Sequence, residues 1–353
     1  MQKLLYALAT CVAFGSASMA EAETIRMTAA SSHPTAVAWV GQMKSEIVDK
    51  VNARLEEIGS DSRIEWTEAY GGVLYGFKDT LEAVSDGVAD MGWVGALFEP
   101  AKMPLQNVPY ALPFSTPEPL VALDIMDELS SQDGIFKKEW TDNNLVYLGT
   151  MATDGYQIYS KTPIRTPADL KGMKVLSSAS VGPWVEGYGA SFVSAGIPVM
   201  YNQLETGVGD AVFLITSGAA AIKLHEVAPY VTVLDMGPAP GGGPAMNKDK
   251  WDSLPQDVQK VFKELGQNYN KALAADVAAR REKALADMEA AGVTLIYPTE
   301  EERAEWVAAL PDIAGTWASA QEARGVPANE AITAFMTKLH EKGITPLRDW
   351  TVD

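Results

Sequence analysis

Residues 24–66 read TIRMTAASSHPTAVAWVGQMKSEIVDKVNARLEEIGSDSRIEW, and this stretch decides the fold class. Residues 24–30 are a short run mixing apolar and β-branched side chains, as a strand does. Ser31-Ser32-His33-Pro34 is turn chemistry. From 35 to 58, Val37, Val40, Met43, Ile47 and Val51 recur at three- and four-residue intervals and so share one helical face. Residues 63–66 return to a strand. Strand, helix and strand in this order make a βαβ unit, and the unit predicts a largely parallel sheet.

The pattern continues outward. A helix is expected over 78–88, and strands over 90–94, 145–151, 174–178 and 211–216. Open α/β sheets bind ligands beyond the carboxyl ends of their strands. Four segments fall there: 31–33, 93–99, 153–156 and 177–184. The last third of the chain differs. Residues 256–291 carry no proline, and Val258, Val261, Phe262, Leu265, Tyr269, Leu273, Val277, Leu285 and Met288 keep near-helical spacing. At ~1.5 Å per residue this helix is roughly 50 Å long, more than one domain of ordinary size. Ser253 is the expected N-cap and Gly292 the residue just past the C-terminus. Helices over about 300–320 and 329–341 finish the chain.

The opening residues read as an export signal. Lys3 precedes an apolar run over 4–14 and small residues over 15–22, and Ala20-Glu21-Ala22 fits an A-x-A cleavage site. Residues 1–22 are the expected signal peptide, the mature chain begins at Glu23, and the apolar run is too short to span a bilayer. Cys11 is the sole cysteine of the 353 residues. It lies inside this segment after too short an apolar core for a lipid anchor. The mature chain thus has no disulfide and no cysteine-ligated zinc. Lys and Arg number 28 against 46 Asp and Glu, a formal charge of −18. Such a surface repels phosphate backbones, so nucleic acid is not the expected partner.

Several fragments together resemble the solute-binding proteins of tripartite ATP-independent periplasmic (TRAP) transporters, the DctP-like family. The clearest is residues 162–175, TPIRTPADLKGMKV. Residues 204–210 (LETGVGD), 87–91 (GVADM), 109–114 (PYALPF) and 251–255 (WDSLP) follow in the family's order and spacing. The resemblance runs over nearly the whole mature chain. It implies an α/β, two-lobed periplasmic binding-protein fold, a type II-like clamshell with the long helix spanning both lobes. One lobe takes residues 23–152 plus about 235–280, the other 153–234 plus about 281–353. The ligand lies in the cleft between them. The resemblance further implies a periplasmic, monomeric protein without cofactor, metal or catalytic residue, which delivers a small molecule to the small and large subunits of a membrane permease.

The chain departs from the family where cargo is held. Most members grip a carboxylate with an arginine directly after the Lys-Gly-x-Lys-Val strand, since a guanidinium makes two parallel charge-assisted hydrogen bonds. That position is Leu176. A second family arginine aligns with Tyr156, and an asparagine with Leu214. Arg165 reads as a solvated loop charge. What remains near the expected cleft is aromatic and acidic. The candidate ligand-binding residues are Trp93, Trp184, Tyr156, Asp154, Glu99, Tyr70, Trp39, Phe213 and Ser177, with Tyr75, Phe98, Tyr201 and Glu68 as further possibilities. Rings around a carboxylate suit a compact cation, each ring contributing ~0.5–2 kcal/mol. The cargo expected is an amine, a quaternary ammonium or sulfonium, or a zwitterionic osmolyte. The alternative is an organic acid held by backbone N–H groups and by Ser31, Ser32, Ser177, Ser178 and Ser180. A sensor-delivering binding protein is a further alternative.

An enzyme is not expected. His33, His225 and His340 are too scattered for a metal site, and no G-x-S-x-G elbow, P-loop or strand-linked G-x-G-x-x-G occurs. Gly241-Gly242-Gly243, between prolines, reads as a flexible turn.

Overall fold

The computed structural model describes residues 23–237 and 240–351; the expected signal segment, 1–22, lies outside them. In chain order the strands are β1 (Glu23–Ala30), β2 (Ser62–Ala69), β3 (Met91–Val94), β4 (Leu145–Tyr147), β5 (Tyr156–Ser160), β6 (Lys174–Ser177), β7 (Ser191–Ser194), β8 (Ala211–Ile215), β9 (Tyr230–Thr232), β10 (Gly243–Asn247) and β11 (Thr294–Ile296). They form two sheets, ordered β2-β1-β3-β10-β4 and β11-β9-β5-β8-β6-β7. The fold is α/β and two-lobed, as the resemblance implies.

The opening βαβ unit forms as read. β1 and β2 pair in parallel from Glu23 opposite Ser62 to Ala30 opposite Ala69. The intervening helix starts at Ala38 rather than at 35, widens into a π-helical stretch over Met43–Val48, and resumes over Val51–Glu57. Its Val40, Met43, Ile47 and Val51 are buried, the face that periodicity marks.

Both sheets are largely parallel, as the βαβ reading predicts, but each contains one reversed strand. The chain crosses from the first sheet to the second after β4 and returns before β10. Each crossing inserts a strand that runs against its neighbours. β5 is antiparallel to β8 and β9, and β10 is antiparallel to β3 and β4. The glycine triplet is this return crossing, not a flexible turn. A Cβ on Gly242 would stand 2.0 Å from the Val94 carbonyl oxygen, and one on Gly243 would stand 2.0 Å from that of Gly149. Gly242 also has φ +103°, a conformation that L side chains rarely adopt.

The long helix, Gln256–Ala290, is 35 residues. Its Val258, Val261, Phe262, Leu265, Tyr269, Leu273 and Val277 belong to the core under the first sheet. Leu285 and Met288 belong to the core of the second. One rod therefore serves both lobes. Gly266 allows it to touch the first crossing, because a Cβ there would lie 1.8 Å from the Leu148 carbonyl oxygen. Four residues on, Asn270 Oδ1 accepts the Thr150 N–H at 2.8 Å. The helix is N-capped at Pro255, not Ser253. Leu254 is extended, so Ser253 closes the preceding helix Lys248–Ser253, where its hydroxyl donates to the Lys250 carbonyl.

The expected helix over 300–320 is two, Glu300–Ala308 and Ile313–Glu322, separated at Leu310-Pro311. With Ala328–Glu341 they pack on the second core. Helix Pro119–Ser131 lies between the cores: Leu123 joins the first, and Ile125 and Met126 the second.

Candidate functional site

Three elements of the first sheet end at one place. β1 leads into Ser31-Ser32-His33, helix Ala38–Gln42 carries Trp39, and β3 carries Trp93 before the turn Ala96–Phe98. His33 meets Trp93 edge-on at 4.8 Å between centroids and Trp39 at 5.6 Å. Trp39 and Trp93 are 6.0 Å apart, and Phe98 stands edge-on to Trp93 at 6.2 Å. Phe77, which opens the short 3₁₀ helix Phe77–Asp79 after β2, stacks on His33 at 4.5 Å and on Phe98 at 6.2 Å. Gly95 makes this packing possible, since a Cβ there would be 2.7 Å from the Trp93 ring and 2.8 Å from Phe98. Trp93 is 1% exposed, whereas Phe77 is 51% and Phe98 38% exposed. The group is thus sealed at its base and open at its rim.

Sequence reasoning missed Phe77, and took His33 for a turn residue. The usable signal was an aromatic side chain at the end of a glycine-rich loop. Burial lowers the His33 pKa to about 4. Its ring is therefore neutral near pH 7, with Nδ1 3.0 Å from the Ser32 hydroxyl.

The second group begins where the chain enters the other sheet. Asp154 is fully buried; one carboxylate oxygen, Oδ2, accepts the Ser217 N–H at 2.8 Å, and Oδ1 has no partner. Burial pushes its pKa up to about 6. Two residues on, Tyr156 opens β5 and meets Trp184 edge-on at 5.4 Å. The Trp184 indole N–H donates to the Tyr110 carbonyl at 2.8 Å. Leu97 packs on the cores of both lobes, which brings the aromatic turn of the first sheet toward this second group. Beside the seam opens a cavity of about 840 Å³, lined among others by Leu97, Tyr110, Ser180, Pro183 and Trp317.

Other candidates stand elsewhere or are spoken for. Phe213 is buried on β8 and paired in register with Ile158, inside the second sheet. The Ser177 hydroxyl donates to the Phe213 carbonyl at 2.8 Å. Tyr75 is buried and donates to the Ala30 carbonyl at 2.9 Å. Tyr201 reaches Glu226 at 3.2 Å. Glu68 pairs with Lys44 at 2.8 Å, and Tyr70 is half-buried beside the first core. Glu99 follows the aromatic turn; burial, with Glu82 and Asp79 nearby, raises its pKa.

Among the described residues, the arginines nearest these groups are already engaged. Leu176 is fully buried, with its side chain against Gly209, where a Cβ would approach to 2.5 Å. Arg281 of the long helix is committed to Asp235 through bonds of 3.1 and 2.5 Å. Asp235 also accepts from Gln157 Nε2 at 2.6 Å, so the two crossings and the helix are tied together. Arg165 lies on the surface, 3.4 Å from Glu302. Among the described residues there is no cluster of three or more His, Cys, Asp or Glu placed to hold a metal.

The family described as bacterial extracellular solute-binding protein, family 7 (DctP) matches residues 37–319. The chain belongs to this family. A curated relative, the C4-dicarboxylate-binding periplasmic protein DctP of Rhodobacter capsulatus, is 32% identical over 189 residues. That match covers 51% of this chain and spans about half of the relative's length, 55%. Among solved structures, a TRAP periplasmic solute-binding protein from Desulfovibrio salexigens superposes with a TM-score of 0.76 at 23% identity, covering 90% of this chain and 95% of that one. A TRAP solute-binding protein from a marine metagenome, in complex with metahydroxyphenylacetate, gives 0.74 at 21% identity over 90% and 99%. These likenesses establish the fold.

Proposed function

We propose that the chain is exported to the periplasm, captures a compact solute with a cationic centre, and hands it to the small and large subunits of a TRAP permease. Capture takes place between a lobe of residues 23–152 with about 235–280 and a lobe of 153–234 with about 281–353. Ligand favours closure because only the closed form offers both groups of contacts at once.

One observation carries this reading. Leu176, the position that the sequence resemblance aligns with the family's arginine, is buried, while the groups at the strand ends are aromatic faces and a buried carboxylate, Asp154. A ring attracts a desolvated cation by ~2 kcal/mol or more, and a carboxylate adds a charge-assisted hydrogen bond to an amine. A simple anion would meet the Asp154 carboxylate, and the Arg281 guanidinium within electrostatic range is already paired with Asp235.

A second reading rests on relatives: described neighbours carry galacturonate, glucuronate or pyroglutamate. In that reading, backbone N–H groups and serine hydroxyls near residue 180 would hold the acid.

The test is a thermal-shift panel on refolded, ligand-stripped protein. Ligand at about 100 times its Kd adds ~2.7 kcal/mol of stability. Amines, quaternary ammonium compounds and betaines should raise the melting temperature, and mono- and dicarboxylates and sugar acids should not. Shifts from the acids alone would contradict the proposal and favour the second reading.

A further inference from the structure

The indole N–H groups of Trp39 and Trp93 are both buried without an acceptor in the chain. An indole nitrogen donates and cannot accept. Leaving such a donor unpaired costs roughly 1–3 kcal/mol. Trp66 and Trp140 also lack acceptors, but Trp66 stands against Phe262 and Trp140 against Tyr147, each away from the strand ends. Trp39 and Trp93 are different in being neighbours, 6.0 Å apart, with His33 against both and the open rim of Phe77 and Phe98 beside them.

Donors do nothing for a bare cation, which would leave both indoles unpaired. They suit an acceptor oxygen. We infer that the cargo is a compact zwitterion whose carboxylate accepts the Trp39 and Trp93 N–H groups while its ammonium or sulfonium centre meets the ring faces at the open rim. The inference rests on the cationic reading above and narrows it. The family's charged clamp on the second sheet is here replaced by neutral donors on the first. Neutral donors suffice because the zwitterion brings its own compensating charge.

The experiment is isothermal titration of the exported chain with three probes of one shape. Glycine betaine has both charges, choline has the cation with a hydroxyl, and 3,3-dimethylbutyrate has the carboxylate with a neutral tert-butyl group. Betaine should bind at least ~10-fold more tightly than either, the scale of a hydrogen bond to a charged group. Trp93→Phe and Trp39→Phe keep a ring and remove the donor. Each should weaken betaine ~10-fold while leaving choline nearly unchanged. As a readout in the intact protein, the indole N–H resonances of both residues should move downfield in ¹⁵N-labelled protein on addition of betaine. An unchanged betaine-to-choline ratio in both variants, with unmoved indole resonances, overturns the inference and leaves the cationic reading standing. Binding of 3,3-dimethylbutyrate alone, or of none of the three probes, overturns both.

Discussion

Asp154 concentrates the chemistry of the site in one side chain. Its carboxyl is fully buried and accepts the Ser217 N–H; burial outweighs the opposing pull of Ser217, Thr216 and Arg281 and moves its pKa from 3.8 to about 6. Because the folded pKa is raised, the folded state takes up its proton first as pH falls. Ligand-free stability therefore rises as pH drops from about 6 toward 3.8, by an amount on the order of 3 kcal/mol. Asp154→Asn should melt higher than the parent protein at pH 7, with the gap closing by pH 4, and should lose the melting shift given by cationic ligands. Equal melting at pH 7 would mean that the buried charge is already compensated. The sequence placed Asp154 after a strand but did not reveal its burial, because that follows from the packing of residues 216–217 against it, 60 positions away. Trp93 and Trp39 were readable as strand-end and helix-start aromatics. Phe77 was not, since it opens a single 3₁₀ turn, Phe77–Asp79, too short for periodicity to assign its face. Trp184 was read as a ring for the cleft, while its N–H turns out to hold the Tyr110 carbonyl.

At the scale of elements, the long helix Gln256–Ala290 was the most legible feature, because its apolar spacing persists over many turns. The sequence could not show why Gly266 stands in its middle, where glycine costs helix stability. The reason is tertiary: the helix backbone touches the first crossing at Leu148. Gly266→Ala should force the helix off that crossing and lower the melting temperature by several degrees, as overpacking a rigid contact costs ~1–3 kcal/mol or more. An unchanged melting temperature would show that the contact is soft. The short strands β5, β7, β9, β10 and β11 went unread for a related reason. They are three to five residues long, too short for alternation to stand out, and their pairing is set by partners distant in sequence.

For the whole molecule, family and two-lobed architecture were legible because many weak motifs occur in one order along the chain. The antiparallel insertions were not, because they follow from the first two of the chain's three passages between lobes rather than from any local pattern. The crossings and the helix are joined by Asp235, Gln157 and Arg281, which removes Arg281 from the pool of groups able to grip an anion. Arg303 likewise donates to the Leu234 carbonyl. These commitments bear on the cargo proposed above, because they leave neither Arg281 nor Arg303 free to grip an anion. The most direct measurement is native mass spectrometry of the protein isolated from the periplasm, followed by release and identification of the small molecule it carries. A compound with an ammonium or sulfonium centre is the expected result; a carboxylic acid with no cationic centre would contradict the account.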